Sequence, residues 1–223
     1  MVTNLQYFFE TAKKLRGGRW VWVKDSNGEN RNNILLGGTI ANPNKGFGHL
    51  WAGQLLQYTP GKPMLIFRSF AVSKASEDAA TTIYIKGDGY SDAPEVGQMI
   101  MVAPDTAATT GQSAKITAVT YSETNEEFTV TIDTALGALT VGTILVEADG
   151  TTASASATVL CPKPNVFNEA DRDMLPTEGY GFQNANYSVS GVYNKQAWIA
   201  KMQPLPNYVL AYNKSLIDGI FWI

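Results

Sequence analysis

The chain has 223 residues, 44% of them hydrophobic and 17% charged, and its 17 Lys and Arg against 20 Asp and Glu leave a net charge of −3. That balance excludes a wholly basic nucleic-acid binder, and the apolar content excludes a disordered chain. A single histidine and a single cysteine exclude an intramolecular disulfide and the usual Cys/His zinc sites, and they leave any Ser-His or Cys-His catalysis dependent on His49 alone.

The first residues, Met1 to Tyr7, lack the cationic start and apolar run of a signal peptide, and no apolar stretch approaches the length of a membrane span. Leu5, Phe8, Phe9, Ala12 and Leu15 recur at helical spacing behind Thr3, with Gln6 three residues on and Gly17-Gly18 as the stop. This spacing predicts a short N-terminal helix. Lys13, Lys14, Arg16, Arg19 and Lys24 against Glu10 read as a solvated helix face and turn. Arg19 to Lys24 alternates Trp20 and Trp22 with Val21 and Val23, which predicts a strand. Asp25 to Asn30 opens like a calcium loop, but its glycine comes too early and no glutamate closes it, so it reads as a hairpin turn.

Three strands are expected over 33–41, 50–59 and 63–72, punctuated by Pro and Gly. His49 sits in Gly46 to Gly53. The glycine spacing there lacks the helix that a dinucleotide loop must open, so this is a plain turn. Alternating apolar and polar residues predict five more strands over 81–86, 98–103, 114–122, 128–134 and 143–148, a small β-barrel or β-sandwich. Between 101 and 160, 25 of 60 residues are Ala or Thr. From Gly87 to Pro162 ten acids face one base, Lys115, a balance of −9, and the rest of the chain carries +6. The fold expected is mainly β. A β-rich base of 1–80 together with 151–223, including the N-terminal helix, carries an inserted acidic module of 81–150, which leaves through a small-residue linker over 150–158.

Cys161 precedes Pro162 with only Lys163 to activate it, and reads as an inert, partly buried thiol. Beyond it the chain is Asn-, Tyr- and Gly-rich and reads as irregular strands and loops rather than helices. Glu169, Asp171 and Asp173 read as a solvated loop. The aromatic residues of this third suit a core or an interface, with sugar stacking as the alternative. An ending of Ile220-Phe221-Trp222-Ile223 is expected to be docked, within the subunit or across an interface.

Several segments in one order carry a resemblance: Leu50 to Tyr58, Pro63 to Val72, Val96 to Ile100, Ala114 to Val119, Phe128 to Gly137, Leu139 to Glu147 and the ending Tyr212 to Phe221. Over roughly residues 33 to 223 the chain resembles tailed-phage head-fibre or capsid-decoration proteins of Bacteroides-type phages and prophages. The resemblance implies a non-enzymatic virion component, without cofactor, that self-associates and sits on the phage capsid protein. Its expected partners are itself, taken as a trimer, and that capsid protein, with no membrane and no direct nucleic-acid contact. Trp20, Trp22, Trp198, Tyr212, Phe221, Trp222 and Ile223 are the candidate oligomer or docking contacts. The alternatives are a carbohydrate-binding β module and, behind it, a hydrolase using carboxylates such as Asp171 and Asp173.

Overall fold

The computed structural model describes residues 34–40, 49–50, 54–88, 92–168, 172–173, 187–193, 197–198, 204–212 and 220–221. The expected N-terminal helix, Trp20, Trp22, Trp222, Ile223, Glu169 and Asp171 lie outside them. The chain is mainly β with antiparallel sheets. In order the elements are β1 (Ile34–Ile40), β2 (His49–Leu50), β3 (Leu55–Gln57), β4 (Leu65–Ile66), β5 (Ser69–Lys74), β6 (Thr82–Lys86), β7 (Met99–Val102), β8 (Ser113–Ser122), β9 (Glu127–Ile132), β10 (Ile144–Glu147), β11 (Val166–Asn168), β12 (Arg172–Asp173), β13 (Tyr187–Tyr193), β14 (Ala197–Trp198), α1 (Asn207–Tyr212) and β15 (Ile220–Phe221).

Six of these strands close into a barrel of order β10-β5-β6-β9-β8-β7. Each pairs antiparallel with its neighbours. β7, β8 and β9 form a meander, and β10 returns to lie beside β7, the Greek-key order. Because directions alternate around the ring, β6 ends where β7 begins, and β9 ends where β10 begins. The 87–98 connection therefore crosses one mouth of the barrel and the 133–143 connection crosses the other. Each plugs its end: Ala93 at the first mouth, and Leu136 and Leu139 at the second, join the barrel core. A six-stranded barrel is narrow enough for its own side chains to fill, and Phe70, Ile83, Ile85, Phe128, Val130 and Leu145 do so with at most 1% exposure.

The strand sequences divide by how many faces they bury. Thr82–Lys86 alternates exposed Thr82 and Lys86 with buried Ile83 and Ile85, as a strand with one wet face must. Met99–Val102 is apolar throughout and Ile144–Glu147 is apolar up to its last residue, because both their faces are covered. Ile100 and Leu145 point into the barrel, while Met99, Met101 and Val146 join a second core. That core is completed by Leu55, Phe67, Ala157, Val159, Cys161 and the helical residues Tyr208 and Val209.

Two readings of the sequence change here. The 150–158 stretch is no linker. Ala157 pairs with Gly111, Val159 bridges Ala148, and Ser113 N–H donates to Ser154 O at 2.8 Å, so small side chains let the segment lie flat on the barrel. The aromatic C-terminal third also contains a helix, α1. Its propensity is unremarkable. It forms because Tyr208 and Val209 bury against the second core, with Pro206 O accepting from Val209 and Leu210 N–H.

The five-stranded sheet runs β1-β13-β11-β3-β4. Its long ladder joins Ile34 through Ile40 to Tyr193 through Tyr187. The single strand expected over 63–72 is two strands in two sheets. Phe67 N–H still donates to Leu55 O at 3.0 Å in this sheet. At the next residue, Arg68 O accepts from Glu147 N–H at 3.4 Å in the barrel ladder. The closed barrel thus runs from Ser69 to Glu147, and the chain changes sheets at Phe67-Arg68.

Candidate functional site

The change of sheets puts a charge where apolar residues would be expected. Arg68 follows Leu65, Ile66 and Phe67 in an apolar run and is only 7% exposed. Burial pulls its guanidinium pKa down, but Glu147 first, then Glu95 and Asp92, push it up, and the balance lies above the ordinary arginine value. The three carboxylates are themselves buried, with Gln54 and Gln98 beside them among the buried polar residues. Among the described residues Nη1 of Arg68 has no hydrogen-bond partner.

The partners of Arg68 come from several pieces of the fold. Gln54 lies directly before β3, Asp92 and Glu95 on the connection across the barrel mouth, Gln98 at the approach to β7, and Glu147 at the end of β10. Asp92 accepts from Gln54 Nε2 at 3.1 Å and from Ser69 N–H at 3.2 Å. Glu95 N–H donates to Gln98 Oε1 at 2.8 Å. Ser69 Oγ donates to Pro204 O, which ties the segment leading into α1 to the same place. An arginine does not titrate near neutral pH, so the chemistry open to this cluster is fixed charge, and its hydrogen bonds tie the approach to β3, the barrel mouth and the segment leading into α1 together. Among the described residues no group of three His, Cys, Asp or Glu side chains is placed to hold a metal ion.

A second buried group lies next to it. Cys161 is free and 3% exposed, and its thiol donates to Gln57 Oε1 at 3.8 Å. Burial, and behind it the charge of Glu147, pushes the thiol well up from its ordinary value, which keeps it protonated and unreactive. Tyr208 Oη donates to Cys161 O at 3.3 Å, and its ring meets Phe67 edge-on at 6.4 Å. On the barrel wall Glu127, 5% exposed, accepts from Ser73 Oγ and Lys74 Nζ, both at 2.6 Å. Lys74 Nζ also sits 4.6 Å from the centre of the Tyr84 ring.

Of the residues picked from sequence, Trp198 and Phe221 are brought together. They are register partners in the parallel β14–β15 ladder, as are Ala197 and Ile220. Tyr212 is the last residue of α1. His49 and Asp173 pair across β2 and β12 rather than forming a loop site. The Arg68 cluster was not foreseen. Its signal was present as a charged residue inside an apolar run, but three of its partners lie 24 to 79 positions further along the chain, and strand pairing alone brings them to it.

A small cleft of about 160 Å³ opens between Val102, Ala103, Thr143 and Ile144 on one side and Pro206 and Asn207 on the other. No protein-family model, no curated protein and no solved structure matches the chain.

Proposed function

We propose that the chain is a non-enzymatic structural protein of a virion, a tailed-phage head fibre or capsid-decoration protein that associates with itself and docks on the capsid protein. The observation that supports this reading is how its buried reactive groups are used. The Arg68 cluster, Cys161 with Gln57, and Glu127 with Ser73 and Lys74 each join one element to another. A protein that bears load in a particle needs such joints. The β14–β15 ladder supports the docking part, because it pairs the apolar chain end with Trp198.

Light scattering after gel filtration, with co-sedimentation on shells of the cognate capsid protein, tests the proposal. Assemblies larger than one chain and pelleting with the shells are expected. A monomer at every concentration that stays in the supernatant would overturn it. Deleting residues 221–223 removes Phe221 from the ladder and is expected to lower both the melting temperature and the assembled fraction; no change in either would refute the role given to the chain end.

A further inference from the structure

Asp149 stands where the chain leaves β10 and folds back over the barrel. Its N–H donates to Thr158 O at 2.8 Å, Ala148 bridges Val159, and Leu160 N–H donates to Glu147 O at 2.9 Å, so the backbone up to Asp149 is held in a ladder. Gly150 leaves that ladder. It is exposed, its φ is 112°, and a Cβ placed on it would meet nothing nearer than Thr152 O at 3.9 Å. Glycine adopts such a φ without strain, and it leaves its own nitrogen unshielded by a side chain.

Asp149 is exposed too, and its carboxyl group lies against this nitrogen: Gly150 N–H donates to Asp149 Oδ1 at 2.9 Å. Among the described residues no other group donates to that carboxyl. The other aspartates of the barrel region differ. Asp92 is buried and accepts from Gln54 and Ser69. Asp133 accepts from Lys115 N–H at 2.8 Å and precedes Thr134, while Asp78 precedes Ala79 and Asp105 precedes Thr106. A following side chain crowds the nitrogen, and a hydrogen bond from another strand holds the carboxyl away from it.

We propose that Asp149-Gly150 is a site of spontaneous covalent modification, at which the backbone rearranges to an isoaspartyl linkage. The Gly150 nitrogen attacks Cγ of Asp149 in its protonated carboxyl form. The N–Cγ bond forms, the Cγ–OH bond breaks, and the hydroxyl leaves as water with the proton the nitrogen gives up, which closes a five-membered succinimide. Water then adds to one of the two ring carbonyls. Addition at Cγ breaks the new bond and restores aspartate. Addition at the backbone carbonyl carbon breaks the original peptide bond, leaving the chain to run through Cβ and Cγ and the old carbonyl as a free carboxylate. One water leaves and one returns, so mass and charge are unchanged while the backbone gains a carbon. That gain falls in the exposed 149–152 turn, beyond the end of the ladder. The next fixed point is Ser154, whose N–H donates to Ser113 Oγ at 3.1 Å and whose O accepts from Ser113 N–H at 2.8 Å. The modified chain therefore keeps its barrel and loosens the tie between Ser154 and Ser113.

The test incubates the full folded chain for weeks at physiological temperature in mildly acidic buffer. Its peptides are then fragmented by electron transfer, which gives different fragment ions for aspartate and isoaspartate. Isoaspartate is expected at position 149, several-fold above its level at Asp78, Asp105 and Asp133, in a chain whose melting curve is unchanged. Asp149→Glu, which would have to close a six-membered ring, is expected to abolish it there with the fold intact. Amide exchange at Ser113 is expected to be faster in the modified chain. A parallel incubation in guanidinium measures the same pair without the fold. The inference is overturned if the folded chain forms no isoaspartate at 149, or if the level there does not exceed that at the three other aspartates. It is equally overturned if the unfolded chain forms it several-fold faster, because the fold would then be holding nitrogen and carboxyl apart. Unchanged exchange at Ser113 would refute the loosening assigned to Ser154.

Discussion

Arg68 shows what one residue can cost and hold. Its charge is tolerable at 7% exposure because Glu147, Glu95 and Asp92 surround it. Removing it strands buried carboxylates, which is worse than never having made the pair. Arg68→Met is expected to lose about 3–5 kcal/mol in urea unfolding; a loss below 1 kcal/mol would show that the carboxylates are held by other groups. Gly87 is a tighter constraint of a different kind. A Cβ there would lie 2.5 Å from Tyr121 Cε2 and 3.1 Å from the backbone carbon and oxygen of Glu126, which is itself in the left-handed region at φ 48°. The ring has no room to retreat, since Tyr121 Oη donates to Gly87 O at 3.1 Å. Gly87→Ala is therefore expected to cost about 1–3 kcal/mol by forcing this corner apart, again read from denaturant midpoints.

Cys161 supplies the pH dependence at this scale. Its thiol pKa in the fold lies well above the ordinary 9.0, so above that pH the unfolded chain has lost a proton that the folded chain still binds. The thiol's stabilising contribution is fully present below about pH 9 and declines as pH rises toward the folded value, by up to about 1.4 kcal/mol per pH unit. Tyr208, raised by burial and by the neighbouring Cys161, adds a loss of the same sign above its ordinary 10. Cys161→Ala is expected to flatten the stability profile between pH 9 and 10 relative to the wild type; identical profiles would mean that the thiol titrates normally.

At the scale of elements, burial on one face or two separates the strands. β7 is buried on both, so Ile100→Ala, which empties the barrel, and Met101→Ala, which empties the second core, are each expected to cost about 2–5 kcal/mol. Thr120→Ala on the wet side of β8 is expected to stay within about 0.5 kcal/mol. If Met101→Ala behaved like the threonine, the packing of α1 and the 148–161 segment on the barrel would be refuted. This difference was legible in the residues: MIMV and the first three residues of ILVE are continuous apolar runs, whereas TIYIK alternates. The break at Phe67-Arg68 was not legible, because both sides of it have strand character and only the identity of the pairing partner changes. Helix α1 was missed for a related reason, since six residues carry too little propensity of their own to announce a helix.

For the whole molecule, the two cores share strands. β7 and β10 put Ile100 and Leu145 into the barrel and Met99, Met101 and Val146 into the second core, so neither core can open without disturbing the other. The barrel and its covering layer are accordingly expected to unfold together, with amide protection lost over β7 to β10 in one transition; two separated transitions over these strands would contradict the shared packing. The acidic balance of the central stretch also gains a meaning. Four of its ten acids, Asp92, Glu95, Glu127 and Glu147, are buried in joints, which leaves the remaining six to coat the surface.

By itself the sequence determined the β character, the position of most barrel strands, the inert thiol and the Ala/Thr-rich acidic stretch. Those depend on period, turn residues and composition, all properties of neighbouring positions. Only the tertiary structure decided that the barrel closes, that its mouths are plugged by two crossing connections, that the supposed linker is packed, and that Arg68 meets three distant carboxylates. Each of these follows from which strands pair, a choice made by burial across the whole chain rather than by any local run of residues.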